Sequence, residues 1–499
     1  MTRIPLLAGT RVQVVETPPG SVVLRPPPPG EAIADVGAAV RDALRYPLDG
    51  PALAELVPAG GRATIVVEPP ALPIPGTELD PRRAAVDAAS LELERAGVPT
   101  SRQTLLVAGG LARRLAQRDV EGLVTRDLAR RFTGRVVVHD AEDPGLVELA
   151  PGLRVNRELV ESDASVVVSA AQTFLNGGPA VLLGAAGPEA GRAMGAESLL
   201  ETRRSWGWPL ALDLERLLAG RVPLIGASLA LNHPRLGGLL RGFPYEDEAL
   251  ERVARSPLRV GFRLLPGPLR ARVIRTLRSE LTASTVYAGR PSVAHAEALL
   301  RSIELRSAAL DAPLDALCVA VPRTTPYLPR ERPNPLLVAY LGLAYALRLW
   351  RDAFPVVDGG ALILVHRFHR AFAHPTQAPY RVFFGATRLG REPEHLSGAE
   401  RAAGADARAL ELYRSGRTCH PLLPFADWAA CRPALDRLGT VLVAGCRDAV
   451  AARQLGFVPA GSVPAALELV AGTLGREPRV GFLVTPPFFP LRVGTGSSE

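Results

Sequence analysis

An α/β fold in two domains with mostly parallel sheets is what this sequence predicts, and three observations predict it. Apolar strand-like runs alternate with helix-spaced segments between residues 63 and 170. The same rhythm restarts near residue 316 and lasts to about residue 485. The 499 residues also exceed what one ordinary core accommodates. Strand–helix alternation marks crossover units, which make neighbouring strands parallel.

In chain order, Arg11–Glu16 and Ser21–Arg25 read as a hairpin around a Pro-Pro-Gly turn, closed by the proline run that ends at Gly30. Ala63–Val67 is a buried strand by its unbroken apolar run, and Pro81–Ala96 has helical spacing. Strand Leu105–Ala108, helix Ala116–Arg131, strand Arg135–His139 and strand Ser165–Ala170 follow, the last entering a glycine-rich turn. A helix-rich stretch from Glu189 to Arg306 is interrupted by strand-like Val222–Leu229 and Val260–Leu265. The second rhythm comprises strand Ala316–Val321, helix Leu336–Ala353, strands Ala361–Val365 and Thr440–Ala444, helix Val463–Leu474 and strand Val480–Thr485. Asn334-Pro335 supplies a cap followed by a proline at the first helical position. The pattern breaks between residues 290 and 312, which gives domains 1–290 and 291–499, with the last residues packing back on the first.

All 58 basic residues in the Lys+Arg count are arginines; there is no lysine. That excludes side-chain Schiff bases, lysine-tethered cofactors and P-loops of the G-x-x-x-x-G-K type. The net charge of +8 is spread along the chain among 50 acids, with few interleaved aromatics, which argues against nucleic acid as a partner. Cys318, Cys419, Cys431 and Cys446 show no C-x-x-C spacing, as expected of a reduced, cytoplasmic protein. The start lacks a signal-peptide pattern, and the longest apolar helical run, Val338–Leu347, is too short for a bilayer. No membrane association is expected.

Five ordered segments resemble the nickel-pincer lactate racemase (LarA-like) family: 63–75, 105–117, 136–145, 153–187 and, most closely, RPNPLLVAYLGLAYALRLWRDAFPVVDGGALILVH at 332–366. The resemblance spans nearly the whole chain, as pattern more than identity, and is strongest to an uncharacterised subgroup. It implies two α/β domains facing a shared cleft. It also implies hydride removal from the α-carbon of a 2-hydroxy acid by nickel in a sulfur–carbon–sulfur pincer. In that family a pyridinium mononucleotide carries the pincer and is bonded to the lysine of a Gly-Gly-x-Lys loop. Histidines act as bases and an arginine grips the substrate carboxylate.

Carried over residue by residue, most of that machinery is absent. The loop corresponds to Gly177-Gly178-Pro179-Ala180, so Ala180 stands at the tether. In the loop Glu68-Pro69-Pro70-Ala71-Leu72-Pro73, Pro69 replaces an acid and Leu72 an arginine. Ala112 replaces a catalytic histidine while Arg113 survives, and Gln172 falls where a nickel-facing histidine is expected. Tyr340 or Leu341 stands near the place of a catalytic lysine. A covalent nickel-pincer nucleotide is therefore excluded.

The remaining candidates for ligand binding are Glu68, Arg113, Arg114, Gly177, Gly178 and Tyr380. Glycines after a strand can present amides to a phosphate, but they serve equally as a tight turn. His366, His369 and His374 lie within nine residues at a strand end, a place for acid–base or weak metal chemistry, with His420 as a further member. With Arg113 they complete the catalytic candidates. His139-Asp140 reads as a loop anchor and an Asx turn. The expectation is a divergent lactate-racemase-like protein that binds a small acidic or nucleotide-like ligand, or serves a related protein subunit as a non-catalytic homologue. The alternatives are an isomerase, a 2-hydroxyacid racemase or epimerase with a non-covalently held nickel pincer, and a different enzyme built on the His366/His369/His374 cluster.

Overall fold

The computed structural model describes residues 2–69, 80–323, 334–370, 372, 374–474 and 476–495. Two six-stranded sheets organise it. The first runs, edge to edge, Ala283–Gly289, Leu224–Leu231, Ala164–Ala170, Ala63–Val67, Gln103–Val107 and Arg135–Val138. Only Ala283–Gly289 is antiparallel to its neighbour. The second runs Val458–Ala460, Thr440–Ala444, Val356–Val365, Leu314–Ala320, Val480–Leu483 and Val22–Leu24, all parallel. Every residue of Ala63–Val67 and of Ala164–Ala170 is buried. That is why these strands are unbroken apolar runs: helices cover both faces of a parallel sheet. Helix Pro291–Arg306 packs on the first sheet, against Leu224–Leu231 and Ala283–Gly289.

Four local expectations are corrected. Arg11–Glu16 pairs with Arg3–Ala8 across the two-residue turn Gly9-Thr10, not with the segment after it. Ile4, Leu6 and Ala8 supply a buried alternating face, and Gly9 takes the positive φ of 59° that so tight a turn requires. Val22–Leu24 instead extends the second sheet, where Leu24 enters the core. Val260–Leu265 alternates like a strand but lies in helix Leu258–Leu264, which buries none of its residues. Alternation yields a strand only where a neighbouring strand takes its hydrogen bonds, and this segment packs beside Arg11–Glu16 as a helix, pairing with no strand among the described residues. The helix expected over Ala116–Arg131 breaks into Gln117–Val120, a 3-10 turn Glu121–Leu123 and Arg126–Arg131, because Thr125 caps a new start through Leu128 N.

The helix expected over Leu336–Ala353 starts as predicted and ends early. The Asn334 side chain accepts from Leu336 N and Leu337 N, with Pro335 following. After Pro335–Ala339 the coil widens into a π-turn over Tyr340–Tyr345, tightens over Ala346–Arg348, and gives way to strand Trp350–Arg351. Such insertions re-aim side chains and recur at functional sites. Here Tyr340, Ala344, Tyr345 and Arg348 all face the largest cavity described below. Among the described residues, no helix is long and apolar enough to cross a membrane.

Candidate functional site

Three consecutive strands of the first sheet end at one cleft. Ala63–Val67 leads to Glu68, Gln103–Val107 leads to Ala108–Arg113, and Ala164–Ala170 leads to Asn176 and Ala180. Open α/β sheets place ligands at such carboxyl ends. The second lobe closes the cleft with the Tyr340–Arg348 segment and with helix Leu423–Leu435, which contributes Ala426, Asp427 and Ala430. The cavity measures about 600 Å³.

A few contacts clasp the two lobes around it. Tyr413 Oη donates to Gly110 O at 3.0 Å and accepts from Ala141 N at 3.0 Å. His420 N donates to Leu111 O, and its Nε2 meets Glu142 Oε1 at 2.9 Å, so His420 is a seam residue and not a neighbour of His366. Arg114 belongs to the same seam: it donates to His139 O, Val138 O and Arg414 O and lies 3.6 Å from Asp140. Asp140 forms the Asx turn to Glu142 N. Buried His139 is held by Ala186 O and Asn156, and burial keeps its pKa down at about 4.

Gly177 and Gly178 have φ of 96° and 52°. A Cβ on Gly178 would lie 2.4 Å from Cβ of His295, so the loop needs glycine for both conformation and room. Its amides are engaged: Gly178 N donates to Ser169 Oγ at 2.9 Å, and Gly177 N–H donates to Glu68. His295 is buried, neutral and bonded to Thr173 O at 2.9 Å; burial lowers its pKa to about 4.

The charged groups of the cleft are unevenly matched. Arg82 grips Asp80, with Nη2 2.6 Å from Oδ2 and Nε 3.0 Å from Oδ1, while its buried Nη1 has no partner among the described residues. Glu68 shows some surface to the cleft but is otherwise walled in. Burial pushes its pKa up to about 7, and attraction to Arg82 and the Gly177 N–H offset only part of that. Asp427 is buried and also pushed up to about 7 by desolvation, against the 2.6 Å hydrogen bond it accepts from Tyr380 Oη. Arg113 is half-buried, lines the cleft and makes no ion pair among the described residues.

Of the residues singled out in the sequence, Glu68, Arg113 and Ala180 thus share one cavity, and Tyr380 reaches it through Asp427. The 177–178 turn packs behind it, Arg114 points into the seam, and the loop position Leu72 lies outside the described residues. His366 faces a different cavity; His369 is exposed with Nδ1 against Arg367 O, and His374 Nδ1 meets Thr376 Oγ1. Among the described residues, no three His, Cys, Asp or Glu side chains converge to hold a metal. Asp427 and Arg82 were not singled out. A lone acid among Leu423, Phe425, Trp428 and Cys431, all buried on one helix, was the available signal.

Residues 9–192 match the family model of the lactate racemase N-terminal domain. That stretch of the chain is similar to the lactate racemase N-terminal domain. The fold matches that of the lactate racemase apoprotein from Thermoanaerobacterium thermosaccharolyticum, with a TM-score of 0.60 and 16% identity, over 98% of this chain and 100% of that one. A structural-genomics target from Thermotoga maritima is 13% identical, with a TM-score of 0.46 over 86% of this chain and 92% of that one. No curated protein matches in sequence. The mixed α/β architecture with mostly parallel sheets is that of the lactate racemase fold, as the sequence predicted.

Proposed function

We propose that this lactate-racemase-like protein binds a small organic acid of the 2-hydroxy-acid type in the interlobe cleft, without a tethered nucleotide. The observation that carries the reading is Arg113: a guanidinium with no ion pair among the described residues, in a concavity where two of the carboxyls, Glu68 and Asp427, sit near neutrality. A guanidinium fork suits a carboxylate, and it adds direction as well as charge. Carboxyls with pKa values near 7 are populated in both protonation states at working pH, which is the condition for holding or taking a proton from a ligand hydroxyl. Tyr380 fixes the Asp427 carboxyl in place. The engaged amides of Gly177 and Gly178 leave no phosphate cradle there, which favours a small acid over a nucleotide-like ligand.

The residues present do not fit the nickel pincer of the family. Ala180 occupies the tether position and the chain has no lysine. The described lining offers carboxylates, guanidiniums, phenols and an amide, but neither imidazole nor thiolate, the donors that suit nickel. The proposed role therefore includes no hydride step through that group.

Calorimetric titration with a panel of 2-hydroxy acids tests the reading. Arg113→Gln is expected to weaken binding roughly tenfold to a hundredfold, the range for a hydrogen bond to a charged group. Wild-type affinity is expected to fall from pH 6 to pH 8, since ionisation of Glu68 and Asp427 adds negative charge beside the bound anion. Binding indifferent to Arg113→Gln, or strengthening with pH, sinks the proposal. Stoichiometric nickel with exchange at C-2 of a hydroxy acid would overturn it in favour of a racemase. No binding across the panel would leave the role of a non-catalytic homologue beside a related subunit.

A further inference from the structure

A second cavity, of about 500 Å³, lies at the carboxyl ends of Val356–Val365 and Thr440–Ala444 and shares no lining residue with the cleft. The N-terminal hairpin contributes Arg11, helix Leu258–Leu264 contributes Arg259 and Arg263, and the strand ends contribute His366, Arg367 and Arg447. No acid is among the described lining residues, and none of these five arginines makes an ion pair among the described residues. Many arginines elsewhere are matched to carboxylates, as in Arg45–Glu92, Arg131–Asp87 and Arg476–Asp315. Burial, with repulsion from Arg270, Arg447 and Arg263, holds the Arg11 guanidinium below its ordinary pKa. Burial with repulsion from Arg11 and Arg447 does the same at Arg367. His366, only 8% exposed, also lines the pocket, and its buried Nδ1 has no hydrogen-bond partner among the described residues.

We infer that this pocket is a binding site for a small, multiply charged phosphate anion, with Arg11, Arg259, Arg263, Arg367 and Arg447 as its cage and His366 at its base. Five guanidiniums exceed what one carboxylate balances, and planar forks match phosphoryl oxygens in pairs. The lining is a concavity and not a stripe, so a compact anion fits it better than a nucleic-acid strand.

The test is calorimetry of the whole chain with inorganic pyrophosphate, at fixed ionic strength. Micromolar binding is expected, weakened at least tenfold by Arg447→Gln and by Arg11→Gln, and unchanged by Arg216→Gln, an exposed side chain on helix Gly207–Ala219. Arg259→Gln gives the same reading should either of the first two misfold. A nucleoside diphosphate that binds more tightly than pyrophosphate, with the same sensitivity to these variants, supports the site and names an organic source. Failure of pyrophosphate at millimolar concentration, or equal weakening by Arg216→Gln, overturns it. So does capture by anionic phosphatidylglycerol vesicles, or by a single-stranded oligonucleotide, that pyrophosphate does not compete away.

Discussion

In the interlobe cleft Arg82 is locked to Asp80 at 2.6 Å, with the carboxyls of Glu68 and Asp427 on the cleft's two sides, whereas in the pocket on the second sheet Arg11, Arg259, Arg263, Arg367 and Arg447 line one concavity with no carboxylate among the described lining. Both concavities lie at the carboxyl ends of parallel strands, so the difference comes from side chains and not from topology. Where both signs are buried together, the protein sets its own electrostatics: Arg82 is neutralised in place by Asp80, and the acids Glu68 and Asp427 are driven toward the protonated form. Where only cations line an open pocket, solvent and a counter-ion must do the balancing. The first arrangement is rigid and selective, and the second is strong only when filled.

Breaking the matched pair gives the largest expected effect. Arg82→Ala leaves Asp80 in a nearly buried position without its cation, with side-chain exposure of 9% in the native pair. Uncompensated buried charges of this kind cost about 3–5 kcal/mol. The loss is expected as a lower urea midpoint of the first lobe at pH 8. Attraction to Arg82 is a main influence holding the Asp80 pKa below its ordinary value. A depressed carboxylate contributes stability above its unfolded pKa and loses it as pH falls, so the deficit of Arg82→Ala should shrink toward pH 3. A midpoint equal to wild type at pH 8 would mean that the cleft is not held by its own pair.

Asp427 sharpens the comparison from the acid side. Its folded pKa, pushed up to about 7, stands above the ordinary value of 3.8, so the native state holds a proton that the unfolded chain releases. Stability therefore falls as pH rises from about 4 to about 7. Asp427→Asn keeps an acceptor for Tyr380 Oη and removes the buried charge. It is expected to stabilise the protein at pH 8 by up to about 4 kcal/mol, three pKa units at 1.36 kcal/mol each, and to change nothing at pH 4. Urea unfolding at the two pH values decides it; equal shifts at both would show that Asp427 is already ionised without penalty.

How much of this was legible follows the range of each interaction. Strands Ala63–Val67, Ala164–Ala170 and Thr440–Ala444 were readable because burial on both faces writes an apolar run into consecutive residues. Asn334 was readable as a cap because its partners are two and three residues away. Leu258–Leu264 was not, since its alternation mimics a strand and only the absence of strand pairing among the described residues decides against it. Arg113 came from a family pattern, but Asp427, 314 positions further along by subtraction of its number, joins the cleft only through packing of the second lobe. The His366–His374 run shows the converse. Only three residues apart, His366 turns into the arginine pocket while His369 faces solvent, because the strand ends at Val365 and the chain turns, Phe368 N donating to His366 O.

The smallest expected effect carries the sharpest contrast. Removing Arg82 from the cleft should destabilise, yet removing Arg11 from the pocket should do the reverse, because its neighbours Arg270, Arg447 and Arg263 repel it. The side chain is only partly buried, so solvent screens most of that repulsion, and a few tenths of a kcal/mol is the scale for exposed charge pairs. Arg11→Gln is expected to raise the thermal midpoint slightly in low salt. The gain should vanish at about 0.5 M salt, where the screening length falls well below its roughly 10 Å at 0.1 M. In saturating pyrophosphate the sign should invert, since wild type then binds the stabilising anion more tightly than the variant does. An Arg11→Gln midpoint below wild type in low salt without any anion would show that the guanidinium is already balanced, and the two concavities would no longer differ in kind.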